Sequence, residues 1–183
     1  MGGTPRLARS SSIRSTLLTV PVFASTALVG LAAGFFFAYS ANVVLALGTL
    51  PGSTYTSVMQ PINESVRNAA FAVVFFGTVV VSALGVVAMS LRRELATRHG
   101  LLFLGGAVVY LIGTVAVTAT VHVPMNEYIA TWSVADPPAD WVAVRARWAR
   151  WNLVRTVAAG VSFVLYLATV VALVGRSGRE GGA

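Results

Sequence analysis

Four stretches of the chain are apolar over lengths that a membrane span demands. Crossing about 30 Å of hydrocarbon takes about 20 apolar residues in a helix. Residues of about 17–48, 68–91, 101–123 and 153–175 each supply that length, and none of the four holds an acidic side chain. Apolar residues make up 56% of the 183 and charged residues only 10%, against about 25% charged in an ordinary soluble domain. A soluble fold of this size could not hide so much apolar surface. A secreted disulfide scaffold, a disordered tail protein and a soluble enzyme are thereby excluded. The expected fold is an all-α integral membrane protein: a four-helix transmembrane bundle with short amphipathic helices on its outer face. It forms one domain over 15–175, and the Gly-, Ser- and Arg-rich stretches 1–14 and 176–183 are expected to be disordered tails.

The net charge of +7 is a statement about topology. All thirteen basic residues are arginine, and they gather at the ends of the apolar runs. A nucleic-acid surface needs a basic face on a soluble fold, so no nucleic-acid partner is expected; the bilayer is the expected partner. Arg6, Arg9, Arg14, Arg92, Arg93, Arg98, Arg176 and Arg179 share one side of a four-span chain, and Arg67, Arg145, Arg147, Arg150 and Arg155 share the other. The bias puts both termini in the cytoplasm. The arginine-only, Ala-, Val- and Gly-rich composition resembles that of high-GC bacteria, so the expected location is a bacterial-type cell (inner) membrane. The first apolar stretch is too long for a signal-peptide core and reads as a retained span. Pro21 near its start suits a first helical turn. With no cysteine, disulfides, thiolate nucleophiles and Cys-ligated metals are excluded.

Ionisable groups are costly in lipid, so their positions inform. Gln60, Asn63, Glu64 and Arg67 precede the second span, His122, Asn126 and Glu127 close the third, and Trp148, Asn152 and Arg155 open the fourth. Chain topology brings all three groups to one end of the bundle. Trp141, Arg145, Trp148, Asn152 and Arg155 recur at spacings of four, three, four and three, which confines them to an arc of roughly 80° on a helix. Trp141 and Arg145 fit an aromatic belt with snorkelling arginine as well as they fit a site. Asn152 and Arg155 lie deeper, and arginine cannot shed its charge; Glu64 or Glu127 is its expected partner. His122, before Val123-Pro124, stands where a helix ends or kinks. His99, in the arginine-rich loop, is expected to be solvated. In Gly34-Phe35-Phe36-Phe37-Ala38-Tyr39-Ser40, Gly34 suits a close helix approach, the phenylalanines suit lipid and core, and Tyr39 can point into the bundle. A metal held by His122, Glu64 and Glu127 is left open, since the spacing is not diagnostic. No phosphate-cradling loop, dinucleotide fingerprint, nucleophile elbow or paired-histidine metal helix is present.

These segments resemble the anthrone-oxygenase-like family of small four-span membrane proteins. The likeness covers about residues 24–175. It rests on Gly34-Phe35-Phe36-Phe37-Ala38-Tyr39-Ser40, Met59-Gln60-Pro61-Ile62-Asn63, Val123-Pro124-Met125-Asn126 and Trp148-Ala149-Arg150-Trp151-Asn152-Leu153-Val154-Arg155-Thr156. The resemblance implies dioxygen-dependent oxidation of an anthrone, a polycyclic aromatic polyketide, to a quinone, with no cofactor expected beyond dioxygen and a bound metal left open. Under that implication Trp148 and Trp151 wall a slot above Tyr39, and Gln60 and Asn63 bind substrate. Arg155, helped by Asn152 and Asn126, stabilises an enolate, and His122 is the base, with Glu64 or Glu127 as substitutes. The expected small-molecule partner is a hydrophobic aromatic; homo-oligomerisation is left open. The competing reading is non-enzymatic: a small membrane carrier or scaffold that binds an anionic or aromatic ligand.

Overall fold

A computed structural model of the chain describes the backbone of residues 5–180 and the side chains of residues 18–175. Among the described residues there is no strand, and four helical segments are long and apolar enough to cross a membrane. The chain is a multi-pass all-α membrane protein.

The first span comprises α1 (Pro5–Ala38), a π-helical turn at Tyr39–Val43 and α2 (Val44–Gly48). After Pro51 sets extended backbone (ψ 160°), α3 (Gly52–Ser65) lies across one end of the bundle. It buries Tyr55, Thr56, Met59 and Asn63, one face of an amphipathic helix. The second span is α4 (Ala69–Leu91), whose N-cap Asn68 accepts a hydrogen bond from the Phe71 amide at 2.9 Å. The third begins as α5 (Arg98–Tyr110), passes through two π-helical segments at Leu111–Ala116 and Thr118–His122, and ends as α6 (Val123–Ala130). The fourth is α7 (Trp141–Glu180).

The spans pack in the order α4–α1–α7–α5 around the bundle. Small residues allow the closest contacts, as packing in lipid favours. A methyl group at Gly106 would come within 2.5 Å of the Tyr166 ring, and one at Gly113 would collide with Ala158 Cβ. Buried hydroxyls stitch the spans mid-membrane: Tyr166 donates to Ser82 at 2.6 Å, Ser82 to Ser25 at 3.3 Å, and Ser162 to the Gly106 carbonyl at 2.8 Å.

Several sequence expectations are revised. The third and fourth helices run beyond the apolar limits, to Ala130 and from Trp141. Helical backbone also enters the stretches expected to be disordered tails, from Pro5 and as far as Glu180; a helix nucleated in an apolar span propagates at one hydrogen bond per residue fixed. The remainder of those stretches lies outside the described residues. Pro21 is consequently interior to α1 and packs against Gly85 of α4. Gly34 makes no close helix approach: nothing lies within 4 Å of where its Cβ would be. His99 is buried, not solvated. It bonds Glu94 at 2.9 Å, and Thr97 caps α5 beside it, because the turn after α4 folds back over the start of α5.

Candidate active site

Arg155 is the centre of the polar end of the bundle. Its side chain is 7% exposed and meets no carboxylate among the described residues. Nη2 donates to Asn152 Oδ1 at 2.7 Å and Nη1 to Thr118 Oγ1 at 3.2 Å. The guanidinium carbon lies 4.8 Å from the Phe36 ring centroid and 5.6 Å from that of Trp148. Nε is buried without a partner. The expected partners Glu64 and Glu127 are both exposed, and neither pairs with it. Each sits on the outward face of a rim helix, α3 or α6, while the buried faces of those helices carry Asn63 and Ile129.

A hydrogen-bond chain fixes Asn152 in turn. Its Nδ2 donates to Ser40 Oγ at 2.7 Å, Ser40 and Thr156 share a hydrogen bond at 2.8 Å, and Thr156 also donates to the Phe36 carbonyl at 3.1 Å. Ser40 comes from the π turn of the first span. Thr156 lies one helical turn past Asn152, so two spans hold one amide in one orientation.

These groups face a cavity of about 480 Å³. Phe35, Phe36, Tyr39, Phe71, Phe75 and Trp148 supply aromatic walls; Asn63, Thr118, His122, Asn126, Asn152 and Arg155 supply polar ones. His122 ends the second π segment and is 1% exposed. Its ring meets Trp148 edge-to-face at 4.9 Å. Neither ring nitrogen completes a hydrogen bond, although the backbones of Val117 and Trp148 lie close. Asn126 accepts from the Trp148 indole at 2.8 Å and so anchors that wall. Tyr39 packs 5.5 Å from Trp148, and its hydroxyl reaches Met59 sulfur at 3.8 Å. Asn63 Nδ2 is a buried donor with no acceptor. Outside the spans, burial pushes the Tyr55 hydroxyl well above the usual phenol range, with Tyr39 adding to the shift and Arg145 opposing it.

The structure therefore gathers Tyr39, Asn63, His122, Asn126, Trp148, Asn152 and Arg155 around one space and leaves four expected residues out of it. Gln60 donates to the carbonyls of Ile129 and Trp132 at 2.9 and 3.0 Å, tying α3 to the end of α6. Trp151 is absent from the cavity wall, because at 100° per residue it lies about 60° round α7 from Trp148. Glu64 and Glu127 point away, and among the described residues no group of three His, Asp or Glu side chains could hold a metal. Trp141 and Arg145 also fall outside: Arg145 stacks 4.7 Å from Trp141 and caps the first span through the carbonyls of Leu47 and Leu50.

Phe36, Phe71, Phe75, Thr118 and Thr156 were missed as site residues. Phe36 falls three and four residues before Tyr39 and Ser40, and Thr118 four before His122. The same helical spacing that grouped the residues of α7 would have found both.

A family model described as anthrone oxygenase matches residues 69–165 of the chain. That stretch carries His122, Asn126, Trp148, Asn152 and Arg155, while Tyr39, Ser40 and Asn63 precede it. No curated protein and no solved structure matches the chain.

Proposed function

The chain belongs to the anthrone oxygenase family, and from that premise we propose that it oxidises an anthrone-type polycyclic aromatic polyketide to a quinone with dioxygen, inside the aromatic cavity. The observation that supports this reading is a buried guanidinium without a carboxylate and an imidazole without a hydrogen bond on the wall of one cavity. An uncompensated cation in a lipid-embedded bundle is costly. An anionic oxygen delivered to it recovers that cost at the moment of reaction.

An anthrone carries an acidic carbon between two aromatic rings. His122 takes one proton from that carbon, and the ring system becomes an enolate. Arg155 holds the enolate oxygen, with the Asn63 amide as a second donor. The enolate passes an electron to dioxygen, the two radicals combine into a carbon-bound peroxide, and the imidazolium returns its proton to the terminal oxygen. Loss of the second carbon-bound proton then breaks the O–O bond and releases water. One anthrone and one dioxygen give one quinone and one water. Asn152 acts through Arg155, and Asn126 through Trp148. We place the protein in a bacterial-type inner membrane, with both termini in the cytoplasm and the cavity toward the far side.

The test is turnover of anthrone by the purified protein, followed by quinone absorbance and oxygen uptake. Arg155→Ala is expected to lower kcat by about 10²–10³, and His122→Ala by about 10²–10⁴. Wild-type rates from both variants would remove these assignments. A chelator is expected to leave the rate unchanged; loss restored by one metal would replace direct electron transfer with a metal-dependent route. Ligand binding without turnover would favour a carrier.

A further inference from the structure

The cavity has a side open to the membrane. Helix α4 packs along α1 and meets the third span through α5, with no comparable packing against the π segments or α6. Phe75 and Tyr110 mark the meeting point: their ring centroids are 6.2 Å apart, and the Tyr110 hydroxyl donates to the Phe75 carbonyl at 3.3 Å. From there toward α3 the second and third spans diverge, and the space between them is the cavity. Ala69, Ala72 and Phe76 form one edge of this fissure and Val123 the other; all four line the cavity. Phe76 is 60% exposed and Val123 41%, so the same side chains border both the cavity and the membrane-facing surface.

The depth fits hydrocarbon. Phe76 lies seven residue steps past Ala69, roughly 10 Å along a helix, and Ala69 opens a span with no charged side chain. The seam between the third and fourth spans is tight, whereas on the α1–α4 side a second space of about 460 Å³ adjoins the cavity at Phe35 and Phe71. Gly113 seats the third span against Ala158, and the polar end is roofed by α3 with Tyr55, Met59 and Asn63 buried beneath it.

We propose that the fissure between α4 and the α6 end of the third span is a lateral door, through which a flat, lipid-soluble aromatic enters from the hydrocarbon with its acidic oxygen leading toward Arg155. The ligand's chemistry rests on the oxidation reading above, whereas the door itself rests on packing and exposure. Alanines at the edge leave room for a ring system to pass edge-on. Phe76 offers it an aromatic face at the mouth, and Phe75 and Phe71 offer the next ones within. A ligand following this route exchanges hydrocarbon for aromatic walls, with Arg67 and Asn68 at the rim of the cavity and Arg155 at its inner end.

The chain has no cysteine, so a nitroxide can be attached at Ala72→Cys alone and the protein reconstituted into lipid vesicles. Collision with dioxygen, which concentrates in hydrocarbon, is compared with collision with a neutral water-soluble nickel chelate. Frequent dioxygen and rare nickel collisions are expected. Frequent nickel collisions would show a watery mouth, and rare collisions with both would show a closed seam; either overturns the door. In a second arm, anthraquinone dissolved in the bilayer quenches tryptophan fluorescence of the unlabelled protein. Ala72→Phe, and independently Val123→Phe from the opposite edge, are expected to slow that quenching tenfold or more. Unchanged quenching rates in both would mean the ligand travels elsewhere. Neither arm requires turnover. A catalytically silent protein can thus still show the door, and an active one can still lack it.

Discussion

Asn152 decides what Arg155 is free to do. Its carbonyl oxygen accepts from the guanidinium and its amide nitrogen is committed to Ser40, so it orients the cation without neutralising it. Asn152→Asp tests that division, because it is isosteric and supplies the carboxylate that the site lacks. Ser40 can turn to donate to the new carboxylate, and the buried pair gains a charge-assisted hydrogen bond. We expect an unchanged or higher melting temperature in detergent, together with at least a tenfold loss of anthraquinone affinity, since the cation is then already satisfied. Arg155→Lys makes the complementary point. The charge stays, but one ammonium cannot fork between Asn152 and Thr118, and kcat for anthrone should fall about tenfold or more. Much of this residue-scale picture is legible in the sequence, because a histidine, an arginine and two asparagines flanking apolar runs have few reasons to be there. The acidic residues misled because pairing them with Arg155 used sequence proximity to the rim and ignored which helix face each occupies. Trp151 misled although the 80° arc already excluded it.

At the scale of elements, three π-helical stretches set the geometry, and two of them deliver site residues: Tyr39 and Ser40 from the first span, His122 from the third. A π turn holds one more residue than an α turn and so re-aims everything after it. Inserting one alanine after Ala119, which is exposed on the second π segment, adds a residue that the existing bulge does not absorb and should swing His122 out of the cavity by about 100°. We expect circular dichroism to be unchanged and turnover to be lost; retained turnover would show that His122 is not the base. Close packing holds the same segment in place. Gly113→Val would drive a side chain into Ala158, at a cost of about 1–3 kcal/mol, read as a lower melting temperature in detergent. The four spans were legible because twenty apolar residues have one use in a membrane. The π turns were not, because nothing in the composition of Leu111–Ala116 or Thr118–His122 separates it from ordinary α-helix.

For the whole molecule, the even number of spans fixes the site at the end of the bundle opposite both termini, and only the sign of that arrangement is left to arginine. Eight arginines fall on the terminal side and five on the site side, but the five are not equivalent. Arg155 lies inside the bundle, and Arg145 is committed to the carbonyls of Leu47 and Leu50. Both still had to be translocated, and Arg67, Arg147 and Arg150 are the exposed cations of that side. The positive-inside rule counts all five, so the bias stays at eight against five and favours the proposed cytoplasmic termini. A C-terminal fluorescent-protein fusion should be bright, and a C-terminal alkaline phosphatase fusion inactive. Replacing Arg92, Arg93 and Arg98 with asparagine should weaken that preference and yield a mixed population. The reverse result, active phosphatase on the unaltered chain, would move the cavity to the cytoplasmic leaflet. It would leave the cavity's walls as described and change only the leaflet from which an aromatic ligand reaches the fissure beside Ala72.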